Sequence, residues 1–165
     1  MQNIKNSSLF KKLYSIPTAP LVLSVFSIIP FSICTLGVWF FKDPWQSFAF
    51  LNLLNYSVIV LSFLGAVQWG ISLSIAQQKL SVQWKWYIWS IIPALLGWIV
   101  LMGSTNYLVV IFIFMLGFTL SYLIDSYSIR LGRAPEWYRT IRKTLTILVI
   151  IHFGAVMTYI NKVSV

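Results

Sequence analysis

The sequence predicts an all-α membrane protein: a bundle of five transmembrane helices, N-terminus inside and C-terminus outside, with an interfacial basic and aromatic segment before the last helix. Three observations predict it. First, 59% of the 165 residues are hydrophobic and only 9% are charged, whereas a water-facing domain surface needs charged residues near ~25%. Second, apolar runs of about the length needed to cross a bilayer recur five times. Third, the basic residues fall in short segments between those runs, the pattern of membrane topology rather than of a binding face. Twelve Lys and Arg stand against three acidic residues, for a net charge of +9. In a water-soluble chain that excess would suggest nucleic acid. Here it implies contact with anionic lipid, and no nucleic-acid partner is assigned.

Residues 1–19 read as a cytoplasmic N-terminal tail carrying Lys5, Lys11 and Lys12, and residues 20–165 as one transmembrane domain. The tail resembles the start of a signal peptide, but the apolar run that follows, about 21–41, is too long for one and lacks a small-x-small cleavage site. It is read as a retained first span, kinked at Pro30. After the turn at 42–45 a second span covers about 48–76. This exceeds ~20 residues, so it tilts or projects into the headgroups. The third, about 86–102, follows a segment with Lys79, Lys85, Trp84, Trp86 and Trp89, rings and lysines arranged as an interfacial belt. The turn at 103–106 leads to a fourth span, about 107–124. The longest polar segment, 125–143, holds Arg130, Arg133, Arg139, Arg142 and Lys143, with Trp137 and Tyr138 at headgroup depth. The fifth span is about 144–160.

With five spans, one side holds segments with three, two and five basic residues, and the other holds only Lys42 and Lys162. Ten against two fixes the expected orientation of a multi-pass membrane domain, with the N-terminus cytoplasmic and the C-terminus outside.

Two kinds of residue stand out inside the spans. In the second, Ser62, Ala66, Gly70 and Ser74 recur every fourth position, and with Gly65 and with Gly117 of the fourth span they are candidate packing positions. Small side chains let helix backbones approach closely in lipid. Gly117, Ser121 and Asp125 also lie four apart, on a face expected to point inward because a carboxylate facing lipid is costly. The polar candidates are Gln68 and His152, each reckoned ~12–13 Å from the inner surface, so an amide–imidazole bond between them is geometrically possible. His152 is the only histidine. It is read either as a neutral imidazole bonded across helices or as a relay or ligand group. At the inner face Asp125, Arg130, Arg133, Arg139 and Arg142 form a charge and lipid site, with Asp125 expected to take one arginine as its partner. Cys34 is alone, which leaves no disulfide framework or CxxC motif. No catalytic motif, metal set or cofactor is assigned.

Pro30-Phe31, the FLG-x-x-x-WG block at 63–70, Asp125 and the P-x-W-Y-x-x-x-R-x-x-LT block at 135–146 resemble an uncharacterised family of small polytopic membrane proteins. That family includes mitochondrial transmembrane protein 69 and proteobacterial inner-membrane homologues. The resemblance covers most of the chain and implies a multi-helix inner-membrane protein, with no reaction attached. Where the family has His before the WG pair, this chain has Gln68, so an imidazole role there does not carry over.

From these readings the chain is expected to be a non-enzymatic accessory protein of the inner membrane, supporting envelope integrity or the assembly of a membrane complex. Membrane lipids are its expected partners, anionic on the cytoplasmic face, with a membrane-protein partner or a second copy also open. The competing expectation is a small transporter or a lipid- or quinone-binding protein with a polar midplane site at Gln68 and His152.

Overall fold

The computed structural model describes residues 16–79, 84–103 and 106–163. Those residues form six helices: α1 Thr18–Phe26, α2 Ile29–Phe40, α3 Trp45–Lys79, α4 Trp84–Gly103, α5 Tyr107–Arg130 and α6 Glu136–Val163. α1 and α2 share one apolar segment, so five segments are long and apolar enough to cross a membrane. The basic residues Lys5, Lys11 and Lys12 of the expected tail lie outside the described residues.

Pro30 does more than kink the first segment. Helix α1 stops at Phe26, Ser27 and Ile28 form a turn, and α2 restarts with Pro30 in its first turn, where its missing N–H costs nothing. The Ser27 carbonyl at this break accepts a 2.9 Å hydrogen bond from the Tyr56 hydroxyl. No residue of α1 is buried, so this short helix lies against the bundle without entering its core.

The other helices are longer than their apolar runs. α3 has 35 residues, about 50 Å at ~1.5 Å per residue, against a ~30 Å hydrocarbon core. α5 runs past Ile124 to Arg130, and α6 begins at Glu136 rather than near Thr144. The expected 125–143 connecting segment is therefore mostly helix, and only 131–135 turn. Local chemistry explains the stop. Gly132 takes φ 69°, its N–H bonds the Ile129 carbonyl at 2.9 Å, and the Arg133 N–H bonds the Ser128 carbonyl at 3.1 Å. That is a Schellman cap, which favours glycine at the left-handed position. At the other end of α5 the Asn106 side chain accepts from the N–H groups of Leu108 and Val109, as an N-cap does.

The core lies midway along the bundle. Phe31, Phe114, Phe118 and Phe153 are essentially fully buried. The rings of Phe114 and Phe153 stack with centroids 5.9 Å apart, and Phe31 packs edge-on to Tyr56, Phe118 and Phe153. α3 is central: Phe50, Leu54, Ser57, Leu61, Leu64, Gln68 and Ser72 recur every three or four residues and are all buried. At the end opposite Gly132, Gln46 Nε2 donates to the Val38 carbonyl at 2.6 Å and to the Tyr159 hydroxyl at 2.5 Å.

That buried stripe corrects the expected packing face. Ala66, Gly70 and Ser74 are exposed, Ser62 is half-buried, and a methyl added at Gly70 would meet nothing within 4 Å. Close approach is made one step round the helix instead. A methyl on Gly65 would lie 2.0 Å from the Ser90 carbonyl oxygen of α4, and one on Gly97 would lie 3.1 Å from the Val58 side chain. The bulky aromatic core claims the other side of α3, which leaves the small-residue row facing outward. Gly117 is buried with Ser121 and Asp125 on one face of α5.

Candidate functional site

Asp125 is the centre of the buried polar chemistry, at 2% exposure. Its Oδ1 accepts from Gln68 Nε2 at 2.5 Å, and its Oδ2 takes Arg142 Nε as an ion pair and hydrogen bond. The Tyr138 hydroxyl lies 3.5 Å from the same Oδ2. Three helices meet here: α3 brings Gln68, α5 the carboxylate, and α6 both Tyr138 and Arg142. Arg142 is 3% exposed, so both members of the ion pair are buried.

A second layer sits beside this pair. Arg133 Nη2 donates to the Ser72 hydroxyl at 3.1 Å, and Ser72 in turn donates to the Gln68 carbonyl at 2.8 Å. The Arg133 guanidinium lies over the Trp86 ring, 3.7 Å from its centroid, and Trp86 stacks on Tyr127 at 5.8 Å. Trp86 is 2% exposed, so it is a buried cation–π partner and not a member of an interfacial belt. Burial lowers the Arg133 pKa, with neighbouring Tyr87 acting in the opposite sense. Arg139 pairs with Glu136 at 3.3 Å on an exposed helix face. Such an exposed pair adds little stability. Arg130 is exposed at the end of α5.

His152 is elsewhere. Its Nε2 lies 3.0 Å from the Ser32 hydroxyl and its Nδ1 2.7 Å from the Leu148 carbonyl. The proposed Gln68–His152 bond is not made. The depth estimate failed because α6 starts earlier than its apolar run. Arg142 and His152 are ten residues apart on one helix, about 15 Å of rise, and Gln68 shares the level of Arg142.

Beside the ion pair a cleft of about 630 Å³ opens between α1, α3 and α6. This lies within the ~300–1,000 Å³ typical of small-molecule sites. Its walls are largely apolar: Leu23 and Ile28 on one side, Ile59, Phe63 and Val67 on α3, Ile141, Leu145 and Val149 on α6, and Phe31 and Phe118 behind. Tyr138, Arg142 and Thr146 line its polar portion, next to Trp137. Arg142 Nη2 and Thr146 Oγ1 are buried without a hydrogen-bond partner. A second cavity, about 420 Å³, flanks α1 against Thr140, Thr144 and Leu148. Nothing in the sequence located this cleft, because the kink at Pro30 is a local feature whereas the way α1 lies against α3 and α6 is a tertiary one.

Residues 16–158 match the family described as protein of unknown function, DUF3429. The chain belongs to this family. It is similar to transmembrane protein 69 of Xenopus tropicalis, 30% identical over an alignment of 157 residues that covers 92% of this chain. The chain spans 58% of that relative's length. No solved structure matches. For this DUF3429 chain the segments that carried the family resemblance come together in space. Gln68 of the FLG-x-x-x-WG block and Tyr138 and Arg142 of the P-x-W-Y block converge on Asp125, and Phe31 of the Pro-Phe pair lines the adjoining cleft.

Proposed function

We propose that this protein acts non-enzymatically in the membrane by holding a lipid-like amphiphile in the cleft between α1, α3 and α6. The observation that carries the reading is the cleft itself, an apolar trough with the buried Arg142 and Thr146 in its wall. An amphiphile has that division of chemistry, with a tail for Phe63, Ile141 and Leu145 and a polar end for the guanidinium. The buried carboxylate supports a role other than catalysis, because Asp125 is already engaged by Gln68, Arg142 and Tyr138.

The ten-to-two distribution of basic residues supports an orientation with the start of α6 on the cytoplasmic side of a bacterial inner membrane. There the protein serves as an accessory to envelope integrity or to assembly of a membrane complex, acting through the lipid it holds. Purification in mild detergent followed by native mass spectrometry tests the reading. A retained amphiphile, about one per chain, should be lost in Val67→Trp, which fills the cleft wall. A chain that carries no bound amphiphile, or one whose retention is unchanged by Val67→Trp, overturns it.

A further inference from the structure

The polar part of the cleft presents a hydrogen-bond donor that the protein leaves unused. Asp125 holds Arg142 through Nε, which fixes the plane of the guanidinium and leaves Nη2 buried and unpartnered. Four residues on, one turn of the same helix, the Thr146 hydroxyl is also buried and unpartnered, at 5% exposure. Arg142 and Thr146 are both lining residues of the cleft. A buried unpartnered donor is costly, and a fixed guanidinium edge beside a hydroxyl matches the oxygens of a phosphate.

The charge balance selects the kind of headgroup. Asp125 and Glu136 stand against Arg133, Arg139 and Arg142, so this end of the bundle keeps a positive excess after its internal pairs are made. An acidic phospholipid brings a phosphate and no cation. A zwitterionic one brings the same phosphate with an ammonium that the remaining arginines repel.

We propose that the cleft is a site for one acidic phospholipid, with its phosphate received by Arg142 Nη2 and the Thr146 hydroxyl and an acyl chain lying along Ile59, Phe63 and Val67. This rests on the reading of the cleft as an amphiphile site. Asp125 is a positioning residue here: it touches Arg142, not the lipid, and sets which edge of the guanidinium faces the cleft.

The experiment titrates the delipidated full chain in detergent with phosphatidylglycerol and, separately, phosphatidylcholine, reading bound lipid per chain by native mass spectrometry. The expected result is one phosphatidylglycerol per chain, preferred about tenfold because the choline ammonium is repelled by the arginines that remain. Two variants keep the test independent of folding. Asp125→Asn with Arg142→Gln removes the guanidinium that receives the phosphate and should abolish phosphatidylglycerol binding at the cleft. Thr146→Val leaves the ion pair intact and should weaken phosphatidylglycerol binding severalfold at unchanged melting temperature. Equal binding of the two lipids by the parent overturns this inference while leaving the amphiphile reading in place. Binding of neither lipid overturns it too, and retention of some other amphiphile from native membranes would then preserve the broader reading. A preference that survives in both variants assigns it to general surface charge and overturns the site.

Discussion

Gly65 is where α3 and α4 meet backbone to backbone, and a single methyl there tests the packing directly. That methyl would lie 2.0 Å from the Ser90 carbonyl oxygen and 3.2 Å from the carbonyl carbon. Ordinary contact begins near 3.4 Å, so the difference, 1.4 Å, is the distance by which the two backbones must part. The obstacle is main chain and cannot rotate away. Overpacking of this kind costs about 1–3 kcal/mol, and displaced backbone belongs at the upper end. Replacing a helical glycine by alanine returns up to ~1 kcal/mol of helix propensity. Gly65→Ala should therefore lose about 1–2 kcal/mol net. Gly70, five residues on, has open space around its Cα, so Gly70→Ala collects the propensity term alone. The two changes are chemically identical, lie on one helix, and should differ in sign. Equilibrium unfolding in mixed micelles, followed by helical signal, measures both. A Gly65→Ala chain as stable as the parent, or a Gly70→Ala chain less stable than Gly65→Ala, would refute the assignment of the buried face.

Removing the Asp125 carboxylate as Asp125→Ala should cost about 3–5 kcal/mol in the same unfolding assay, because Arg142 is left buried and unpaired. Asp125→Asn with Arg142→Gln should recover much of that, and a double variant whose loss equals the sum of the single ones would show that the pair is uncoupled. Gln68→His should hold stability near the parent, since a ring N–H can donate to Asp125 Oδ1 in place of the amide, whereas Gln68→Leu should lose about 1–3 kcal/mol; equal losses in the two would mean that the Gln68 bond carries no weight. A reporter fused to Val165 should be active only if it functions outside the cytoplasm, and a cytoplasm-active reporter working there would reverse the charge-based orientation.

How much of this was legible in the sequence depended on the physics involved. Span count follows from local composition, and the five apolar runs were read at their places. Helix ends were not, because α5 and α6 continue into polar sequence where Asp125, Tyr138 and Arg142 find partners within the bundle, and hydropathy registers only the apolar part. The inward face of Asp125 was readable from the spacing of Gly117 and Ser121, since a carboxylate has few places to go in lipid. Its partners were not all readable. Arg142 lay among four candidate arginines, and the Gln68–His152 pairing rests on a depth counted from the apolar run of α6 and not from its first turn. The row Ser62–Ala66–Gly70–Ser74 misled for a related reason: small residues permit close approach but do not compel it, and Gly65 alone already meets that need against Ser90. The cleft depends on how α1 stands against α3 and α6, and no periodicity encodes that.

The trough between α1, α3 and α6 should hold an amphiphile with its polar end at Arg142. Cryo-electron microscopy of the full chain, extracted with its native lipid and held by a rigid binding fragment, tests it most directly. Continuous elongated density should run along Phe63, Val67, Ile141 and Leu145 and meet Arg142 and Thr146. A trough closed by α1 packed onto α3, or density there that stays clear of Arg142, would contradict it.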